Sequence, residues 1–415
     1  MFQTSPTVRT STLLGLCAGL LPWTAQADFI DDSHLNLGLR NFYLERNFNN
    51  STRDNLGSWS QGFQLQFKSG YTEGPVQFAL DATGQYAVRL DSYGSGGDSV
   101  LPFHQSTGKA VGQYGSAGLT GKMRYSKTEV SLGEHRPRLP VAFDDDSRQL
   151  QTTYQGVMVE SKEIDKLTLT GGRFWELKGR ESTNSEKIYL WGDKKANASD
   201  GLNFAGASYA LTPQLTGTYF FGQLEDIYRQ HYVGLAHNMP LVDDYSLRTD
   251  VRYYNTKDEG RELAGKVDNS NYGAMVTLKK GVQSFGLGYQ RQLGDNGFPT
   301  FNNYVPQPFL INWSTLAFIK PNEKSVQARY DADFAAWGAP GLKLMTRYIK
   351  GSDAKRAGNL DDISELERNF LVSYVVQSGP LKDVGLTWFN IMAKTQSGNQ
   401  FDENRLIVTY TVNIW

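Results

Sequence analysis

Apolar and polar side chains alternate with a period of two along most of this chain. Segments 59–68, 245–254 and 325–334 each carry apolar residues at one parity and polar or charged residues at the other. Successive side chains of a β-strand point to opposite faces, so each segment has one apolar and one polar face. Strands of about ten residues with this alternation are typical of membrane-spanning β-barrels, whose outer face meets lipid and whose inner face meets water.

Repetition of this pattern predicts an all-β fold, a transmembrane antiparallel β-barrel of about 18 strands. Short connections, such as 211–214 and 378–382, alternate with long ones, such as 91–118 and 292–324. Short turns at one end and long extracellular loops at the other are usual in outer-membrane barrels, and an even strand count places both termini in the periplasm. Segment 178–201 is assigned to a loop. The predicted strands are 35–46, 59–68, 76–90, 119–126, 129–134, 156–161, 167–177, 202–210, 215–223, 230–238, 245–254, 271–279, 282–291, 325–334, 341–350, 368–377, 384–393 and 405–415.

The first 27 residues have the composition of an export signal. Arg9 precedes an apolar stretch from Thr12 to Leu21, and Ala25-Gln26-Ala27 supplies small residues for cleavage. The apolar stretch is about half as long as a membrane-spanning helix requires. We therefore expect residues 1–27 to be a signal peptide and residues 28–415 to form the barrel domain.

Composition and charge exclude several classes of function. The chain contains 42 basic and 43 acidic residues, whereas nucleic-acid binding favours a basic excess. The single cysteine, Cys17, lies in the expected signal, so neither a disulfide scaffold nor a thiolate metal site is expected after it. The histidines have no metal-ligand spacing, and the chain has no Gly-x-Ser-x-Gly elbow. We expect a channel rather than an enzyme, with no catalytic residues, metal or cofactor.

The last predicted strand, 405–415, has apolar residues at its even positions and carries Trp415 at its end. A terminal aromatic residue on an amphipathic strand is typical of outer-membrane proteins, where the barrel-assembly machinery reads it. Together with the export signal, it predicts localisation in the outer membrane of a Gram-negative bacterium. The expected partners are that machinery, outer-membrane lipid and lipopolysaccharide.

Five groups of residues, spread over nearly the whole chain, carry a family resemblance. They are Asp31-Asp32-Ser33 with Gly38-Leu39-Arg40-Asn41-Phe42-Tyr43, then Leu224–Gln230 (LEDIYRQ), Glu323–Asp331 (EKSVQARYD), Tyr374–Pro380 (YVVQSGP) and Arg405–Val408 (RLIV). Together they resemble the OprD family, also called outer-membrane carboxylate channels. The resemblance implies an eighteen-stranded barrel, narrowed at mid-height by a third loop that folds inward. We expect a monomer or a loose trimer.

The polar faces of the predicted strands are rich in arginine. A guanidinium offers a planar pair of donors to a carboxylate, so rows of arginine suit the passage of anions. The resemblance implies such a row along the pore, and by motif position Arg46, Arg53, Arg173 and Arg405 resemble its members or neighbours. Arg173 has the parity of apolar positions, and a bulge at Gly171-Gly172 would reverse it. The full predicted substrate path is Arg40, Arg46, Arg53, Arg124, Arg173, Arg248, Arg252, Arg329 and Arg405.

One wall departs from the family pattern. Many relatives have paired arginines in the strand after the Gln-Ser-Gly-Pro turn, where this chain has Thr387 and Phe389. This difference weakens any transfer of a relative's substrate preference, especially for basic amino acids.

The third loop, 135–155, is the predicted constriction. Two prolines stiffen it, and its acidic triplet is a candidate for a field across the pore, a solvated charge run or a divalent-cation site. Its Leu-Pro-Val stretch resembles the branch of the family that favours aromatic or cyclic carboxylates. The candidate constriction residues are Arg138, Phe143, Asp144, Asp145, Asp146, Arg148 and Tyr154, of which Phe143 and Tyr154 would contact an aromatic ring.

These features predict a porin for passive uptake of small carboxylate solutes, with aromatic or cyclic carboxylates favoured. Two alternatives remain. One is a general diffusion porin whose charges only bias it, and the other is a channel for basic amino acids or peptides.

Overall fold

The computed structural model describes residues 29–49, 53–94, 100–104, 106–355, 362–396, 398 and 400–415. The expected signal peptide, 1–27, lies outside the described residues. In the described part of the chain, no helix has the length and apolarity that would let it cross a membrane.

Eighteen strands form one closed antiparallel barrel, as the alternation predicted. Each strand pairs with its neighbours along the chain, and the first and last strands close the barrel by pairing from Asn36↔Asn413 to Asn49↔Gln400. The strands are β1 (His34–Asn49), β2 (Leu56–Lys68), β3 (Val76–Tyr93), β4 (Gln113–Tyr125), β5 (Thr128–His135), β6 (Thr153–Ser161), β7 (Leu167–Lys178), β8 (Leu202–Ala210), β9 (Leu215–Leu224), β10 (Tyr228–Pro240), β11 (Tyr245–Asp258), β12 (Asp268–Lys280), β13 (Gln283–Leu293), β14 (Lys324–Asp333), β15 (Leu342–Ala354), β16 (Ile363–Val375), β17 (Gly385–Thr395) and β18 (Gln400–Asn413).

Alternating residues build the two faces of the wall, as β11 illustrates. Val251 and Tyr253 lie on the outer face and are exposed, whereas Asp250 and Tyr254 point into the barrel and are buried. A charge on the lipid face costs roughly 2–4 kcal/mol at the middle of the membrane. This cost favours the inward placement of charged residues at the middle of the wall.

The two ends of the barrel differ in their connections. At the end that carries both termini the connections are short, for example 126–127 and 281–282. At the other end they include 94–112, 136–152, 179–201 and 294–323. Apart from Lys178, which ends β7, segment 178–201 is a loop, as predicted. It contains the short strand Ser185–Lys187, a 3-10 turn and a β-bridge between Leu190 and Phe301. We call these ends the turn end and the loop end.

The apolar core lies inside the barrel, between the wall and the long loops. Phe298 and Phe301 of loop 294–323 and Val141 of loop 136–152 pack with Tyr154 and Tyr254 of the wall. On another wall, loop 94–112 buries Val100 and Leu101 against β1 and β4. The loops therefore fill much of the lumen at the loop end and leave a cavity beside β1, β15, β17 and β18.

A single glycine starts the inward turn of the third loop. Gly133 has a φ of +134°, and a Cβ there would collide with the Leu119 carbonyl oxygen, so only glycine fits without a shift. Just beyond it, Glu134 accepts a hydrogen bond of 2.8 Å from Lys178 Nζ on β7, and both side chains are buried. This ion pair fixes the point at which the loop leaves the wall.

Candidate substrate pathway

A cavity of about 700 Å³ lies between the β15–β17–β18–β1 wall and the two inward loops. Arginines line part of its surface and aromatic rings line another part. The arginines are Arg46, Arg53, Arg148, Arg180, Arg347 and Arg405, and the aromatic residues are Phe143, Trp191, Tyr304, Trp313, Phe389 and Phe401. Guanidinium hydrogen-bond donors and aromatic rings thus line the same cavity.

A buried glutamate organises the arginines of the β1–β18 wall. Arg46 Nε donates to Glu403 Oε2 at 2.6 Å, and Arg405 Nε donates to Glu403 Oε1 at 2.6 Å. Glu403 itself is fully buried behind these two guanidinium groups. The planes of the two arginines also lie over rings, Arg46 over Phe401 at 4.4 Å and Arg405 over Phe389 at 5.4 Å. These contacts hold both guanidinium groups in place at the cavity surface.

The opposite side of the cavity is made by loop 294–323, which the sequence did not mark as a constriction. Arg347 Nε on β15 donates to Asn369 Oδ1 at 2.8 Å, and its Nη1 donates to the Trp313 carbonyl oxygen at 3.3 Å. The carboxylate of Glu367 on β16 accepts from the backbone of Leu316 at 2.6 Å and from Ser314 Oγ at 2.5 Å. Inward polar groups of the wall therefore anchor the loop and keep Trp313 in the chamber.

The two inward loops contact each other inside the barrel, next to the β11 wall. Gln307 Nε2 donates to the Pro140 carbonyl oxygen at 2.6 Å, and Tyr254 OH donates to the same oxygen at 3.1 Å. The rings of Phe143 and Phe309 meet edge to face, with centroids 6.2 Å apart. The third loop is therefore held against loop 294–323 inside the barrel.

The three consecutive aspartates of the third loop, Asp144 to Asp146, are each paired with an arginine. Asp145, which is buried, is paired with Arg180, while Arg138 lies 3.4 Å from Asp144 and 3.5 Å from Asp146. Only Asp146 keeps a largely exposed side chain. All three carboxylates line the cavity. The described residues contain no cluster of three or more side chains that could hold a metal ion.

Burial raises the pKa of the loop carboxylates, whereas ion pairing with arginine lowers it. Burial raises the pKa of Asp144, and the Arg138 guanidinium offsets this only in part. Burial also acts to raise the pKa of Asp145, but Arg180 and hydrogen bonds from Ser147 outweigh it and leave that pKa below its ordinary value. Asp145 is therefore charged at neutral pH and holds Arg180 beside the cavity.

Arg148 completes the positive group from the loop side. It is buried next to Arg405 and Glu403. Burial lowers its pKa well below the ordinary value, and the neighbouring Arg180 and Arg405 lower it further. Three guanidinium groups from β1, β18 and the third loop thus converge around Glu403.

Phe143 and Tyr154 have different positions, although the sequence assigned both to contact with an aromatic solute. Phe143 lines the cavity. Tyr154 is fully buried, lies 5.2 Å from the ring of Phe174, and donates its hydroxyl to the Phe143 carbonyl oxygen at 3.0 Å. The expectation for Tyr154 was wrong because the chain folds the loop over it, so it positions Phe143 instead.

The other predicted arginines lie at several heights inside the barrel. Arg53 stacks on Phe48 at the loop end, at 4.4 Å, and lines the cavity. Arg40 and Arg252 contact the inward loops, through the Asp146 carbonyl oxygen at 3.1 Å and the Pro308 carbonyl oxygen at 3.0 Å respectively.

Three predicted arginines lie nearer the turn end. Arg248 and Arg329 each make two bonds to an aspartate on their own strand, with donor–acceptor distances between 2.7 and 2.8 Å. Arg124 donates to Gln77 at 2.8 Å and lies over Tyr71. These three residues do not line the cavity.

Arg173 lies outside the pore. The pairing of β7 with β8 runs without interruption through Gly171, Gly172 and Arg173. The register shift on this part of the wall comes after Arg173, where Gln155 and Gly156 of β6 face Glu176 and Phe174, so that the extra residue is Trp175 on β7. Arg173 therefore keeps the outward parity of Leu169. Its guanidinium is bound by Glu225 and by Asn203 Oδ1 at 2.9 Å on the outer face near the loop end. The expected bulge is absent from this pairing, and the inward placement of Arg173 was wrong.

Sequence reasoning missed most of the aromatic part of the cavity. Trp191, Tyr304 and Trp313 lie in loops, where no periodicity predicts a direction. Arg347 had the inward parity but no family motif to single it out. Phe389 was noted in the sequence only because many relatives have an arginine at this position. In the structure its ring lies beneath the guanidinium group of Arg405.

Comparison with known proteins agrees with the fold. The family described as "outer membrane porin, OprD family" matches residues 27–414. The porin-like protein GalP of Pseudomonas putida is 37% identical over 96% of this chain and 96% of its own length. The crystal structure of Pseudomonas aeruginosa OpdL is 46% identical with a TM-score of 0.85, and it covers 93% of this chain and 100% of its own.

A further solved structure, Pseudomonas aeruginosa OpdK with vanillate, is 34% identical with a TM-score of 0.87, covering 93% of this chain and 100% of its own. Porins are channels of the Gram-negative outer membrane and catalyse no reaction. The extent of these matches over nearly the full length establishes that the chain belongs to the OprD family of outer membrane porins.

Proposed function

We propose that this porin mediates passive uptake of small carboxylate-containing solutes and favours those with an aromatic or cyclic body. The observation that carries the proposal is the pairing, in one cavity, of the Arg46 and Arg405 guanidinium groups with the rings of Phe401 and Phe389. A solute with a carboxylate at one end and a flat ring at the other matches both surfaces at once.

The arrangement suits a channel because binding there is weak. Glu403 already accepts a hydrogen bond from each arginine. An arriving carboxylate therefore binds only the remaining N–H donors of two guanidinium groups whose charge is already partly compensated. A channel site must attract its solute and still release it. The buried counter-charge provides this moderation.

The proposed path begins at Arg53 at the loop end and continues past Arg46 and Arg405 to Arg40. Each of these side chains lies on β1, on β18 or in the loop between β1 and β2. The carboxylate would pass from one guanidinium to the next along this wall, while Trp313 and Phe143 face it from the loops. The related OpdK was solved with vanillate, an aromatic carboxylate, which supports the same solute class here.

The test is single-channel recording in planar bilayers with benzoate, acetate, benzyl alcohol and free arginine added separately. We expect brief blocks with benzoate, weaker blocks with acetate and none with benzyl alcohol. Arg405→Ala should shorten the benzoate blocks by about tenfold or more, because one charge-assisted hydrogen bond contributes roughly 1.5–3 kcal/mol. Phe389→Ala should shorten the benzoate blocks and leave those of acetate unchanged.

Arg173→Ala is the matched control, since this arginine lies on the outer face and is bound to Glu225. Benzoate should block this variant for as long as it blocks the unaltered protein. Large ohmic steps that no carboxylate alters would instead indicate a general diffusion porin. Stronger blocks with arginine than with benzoate would favour a channel for basic amino acids.

A further inference from the structure

The outer wall of the barrel carries a basic cluster near the loop end. Lys350 on β15, Arg368 on β16 and Lys394 on β17 all have outward parity and are exposed. In the strand register, Lys350 and Lys394 are both opposite Leu366, one from each side. Adjacent strands are about 4.8 Å apart, so these two lysines lie roughly 10 Å from each other with Arg368 below and between them.

The cluster has little compensating charge. Among the residues that the structure describes, no acidic side chain forms an ion pair with Lys350 or Lys394. Arg368 donates to the neutral amide of Asn390 at 2.7 Å. This amide in turn donates to Asn404 Oδ1 at 3.0 Å, so the guanidinium is positioned without being neutralised.

An apolar groove of about 600 Å³ lies beside this cluster and nearer the turn end, on the outer face of β12–β15. The two surfaces meet at β15, where Lys350 lies one outward position above Tyr348. Leu287, Phe285, Tyr330 and Tyr348 form its sides, and the small side chain of Ala328 leaves room between them. Ala328 is paired with Tyr348, and the neighbouring outward pair one step nearer the loop end is Val326 with Lys350. The groove therefore runs from the apolar belt towards the positive cluster.

We infer that this surface binds a phosphorylated glycolipid of the outer leaflet. Its phosphate would lie among Lys350, Arg368 and Lys394, and one of its acyl chains would occupy the groove beside Ala328. The occupant follows from charge and height together, because the cations lie on the loop-end side of the apolar belt, where headgroups of the outer leaflet begin. A basic cluster at this level attracts anionic headgroups, and each cation contributes to their binding.

The site is independent of solute passage, since all of its side chains lie on the outer face. It accounts for two features that the pore does not use: exposed cations without acidic partners, and a depression in the lipid-facing wall. A lipid held at this site would be retained by the barrel as part of its annulus.

The test is native mass spectrometry of the full-length protein in detergent, titrated with bisphosphorylated lipid A and, separately, with the same lipid after removal of both phosphates. We expect retention of the phosphorylated lipid and much weaker retention of the other. Lys350→Gln combined with Lys394→Gln should weaken binding about 25-fold, since each cation near the surface contributes about fivefold. Ala328→Trp should fill the groove and weaken the binding of both lipids.

Arg229→Gln is the control, because Arg229 is an exposed outward cation on β10, away from the cluster. It should leave binding unchanged. Equal weakening by Arg229→Gln, or equal binding of the two lipids, would overturn the inference. Complete competition by millimolar inorganic phosphate would also overturn it, because the cluster would then be an anion site and not a lipid site. Unaltered single-channel conductance of each variant verifies that the barrel has folded.

Discussion

Glu403 controls how strongly Arg46 and Arg405 attract an anion. It is fully buried and accepts from both arginines at 2.6 Å, so each guanidinium reaches the cavity with part of its charge compensated. Two further positive groups, Arg148 and Arg180, lie nearby and raise the density of positive charge. The glutamate is thus a positioning residue for the pathway as well as a structural one.

We expect Glu403→Gln to increase the affinity of the cavity for carboxylates. The amide keeps the size of the side chain and one acceptor oxygen, but it removes a negative charge next to Arg46 and Arg405. Benzoate blocks should become several-fold longer, and the anion-to-cation permeability ratio from reversal potentials should rise. Removing one partner of a buried ion pair also destabilises a protein by roughly 3–5 kcal/mol, so the unfolding temperature should fall.

The two effects can be separated. Glu134→Gln breaks another buried ion pair, with Lys178, at a distance from the cavity. This variant should lower stability without lengthening the blocks. If both variants changed the blocks alike, Glu403 would act only through the stability of the barrel.

Parity is the signal by which individual residues of the site could be recognised. It placed Arg46 and Arg405 correctly in the lumen because β1 and β18 pair over their whole length without a register shift. Parity alone also predicted correctly that Arg173 points outward. The inward placement came from the bulge assumed at Gly171-Gly172, which the pairing of β7 with β8 does not contain. Tyr154 could not be placed from parity, since parity does not distinguish an inward side chain that is open to the pore from one that a loop covers.

At the scale of elements, loop 294–323 depends on a buried pair of carboxyl groups. Glu323 ends the loop and Glu365 lies on β16, and both are almost completely buried. Lys320 pairs with Glu365, and its backbone N–H donates to Glu323 Oε2 at 3.0 Å. Burial, and then the charge of Glu365, raise the pKa of Glu323 to about 9.

This shift predicts a pH-dependent attachment of the loop. Glu323 binds its proton more tightly in the folded protein than in the unfolded chain, so its contribution to stability is present at low pH. That contribution is lost as the pH rises through the folded pKa of about 9. Between about pH 8 and pH 10 we expect the open-channel noise to increase, as two ionised carboxylates repel each other at the end of the loop.

Glu323→Gln should abolish this rise, because its side chain stays neutral at every pH. Glu262→Gln is the control, a loop-end glutamate bonded to Lys266 at 2.7 Å outside the lumen. It should leave the rise intact. A noise level that stays constant up to pH 10 in the unaltered protein would contradict the role given to Glu323.

Elements differ in how far the sequence specifies them. All eighteen strands were predicted, because each one must present alternating faces to lipid and water. The inward fold of loop 294–323 was not, since it depends on contacts such as Gln307 with Pro140 and Ser314 with Glu367 that join distant parts of the chain. No local pattern marks such contacts.

For the molecule as a whole, net charge and pore charge differ. The chain has a net charge of −1, yet the cavity is lined by six arginines and four acidic residues, an excess of two positive charges. Acidic residues such as Glu225 and Asp268 lie at the loop end on the outer side, paired with Arg173 and Lys257. We therefore expect the distribution of charge, rather than its sum, to set the preference of the channel.

This distribution predicts an anion preference that depends on ionic strength. The Debye length falls from about 30 Å at 0.01 M salt to about 3 Å at 1 M, so the arginines act across the whole cavity only in dilute salt. Reversal potentials measured across a potassium chloride gradient should give a clear chloride preference near 0.01 M and almost none at 1 M. Glu403→Gln should extend the preference to higher salt, and Arg46→Ala should reduce it at every concentration. Cation preference in dilute salt would mean that Asp146 and the other carboxylates, rather than the arginines, dominate the field in the constriction.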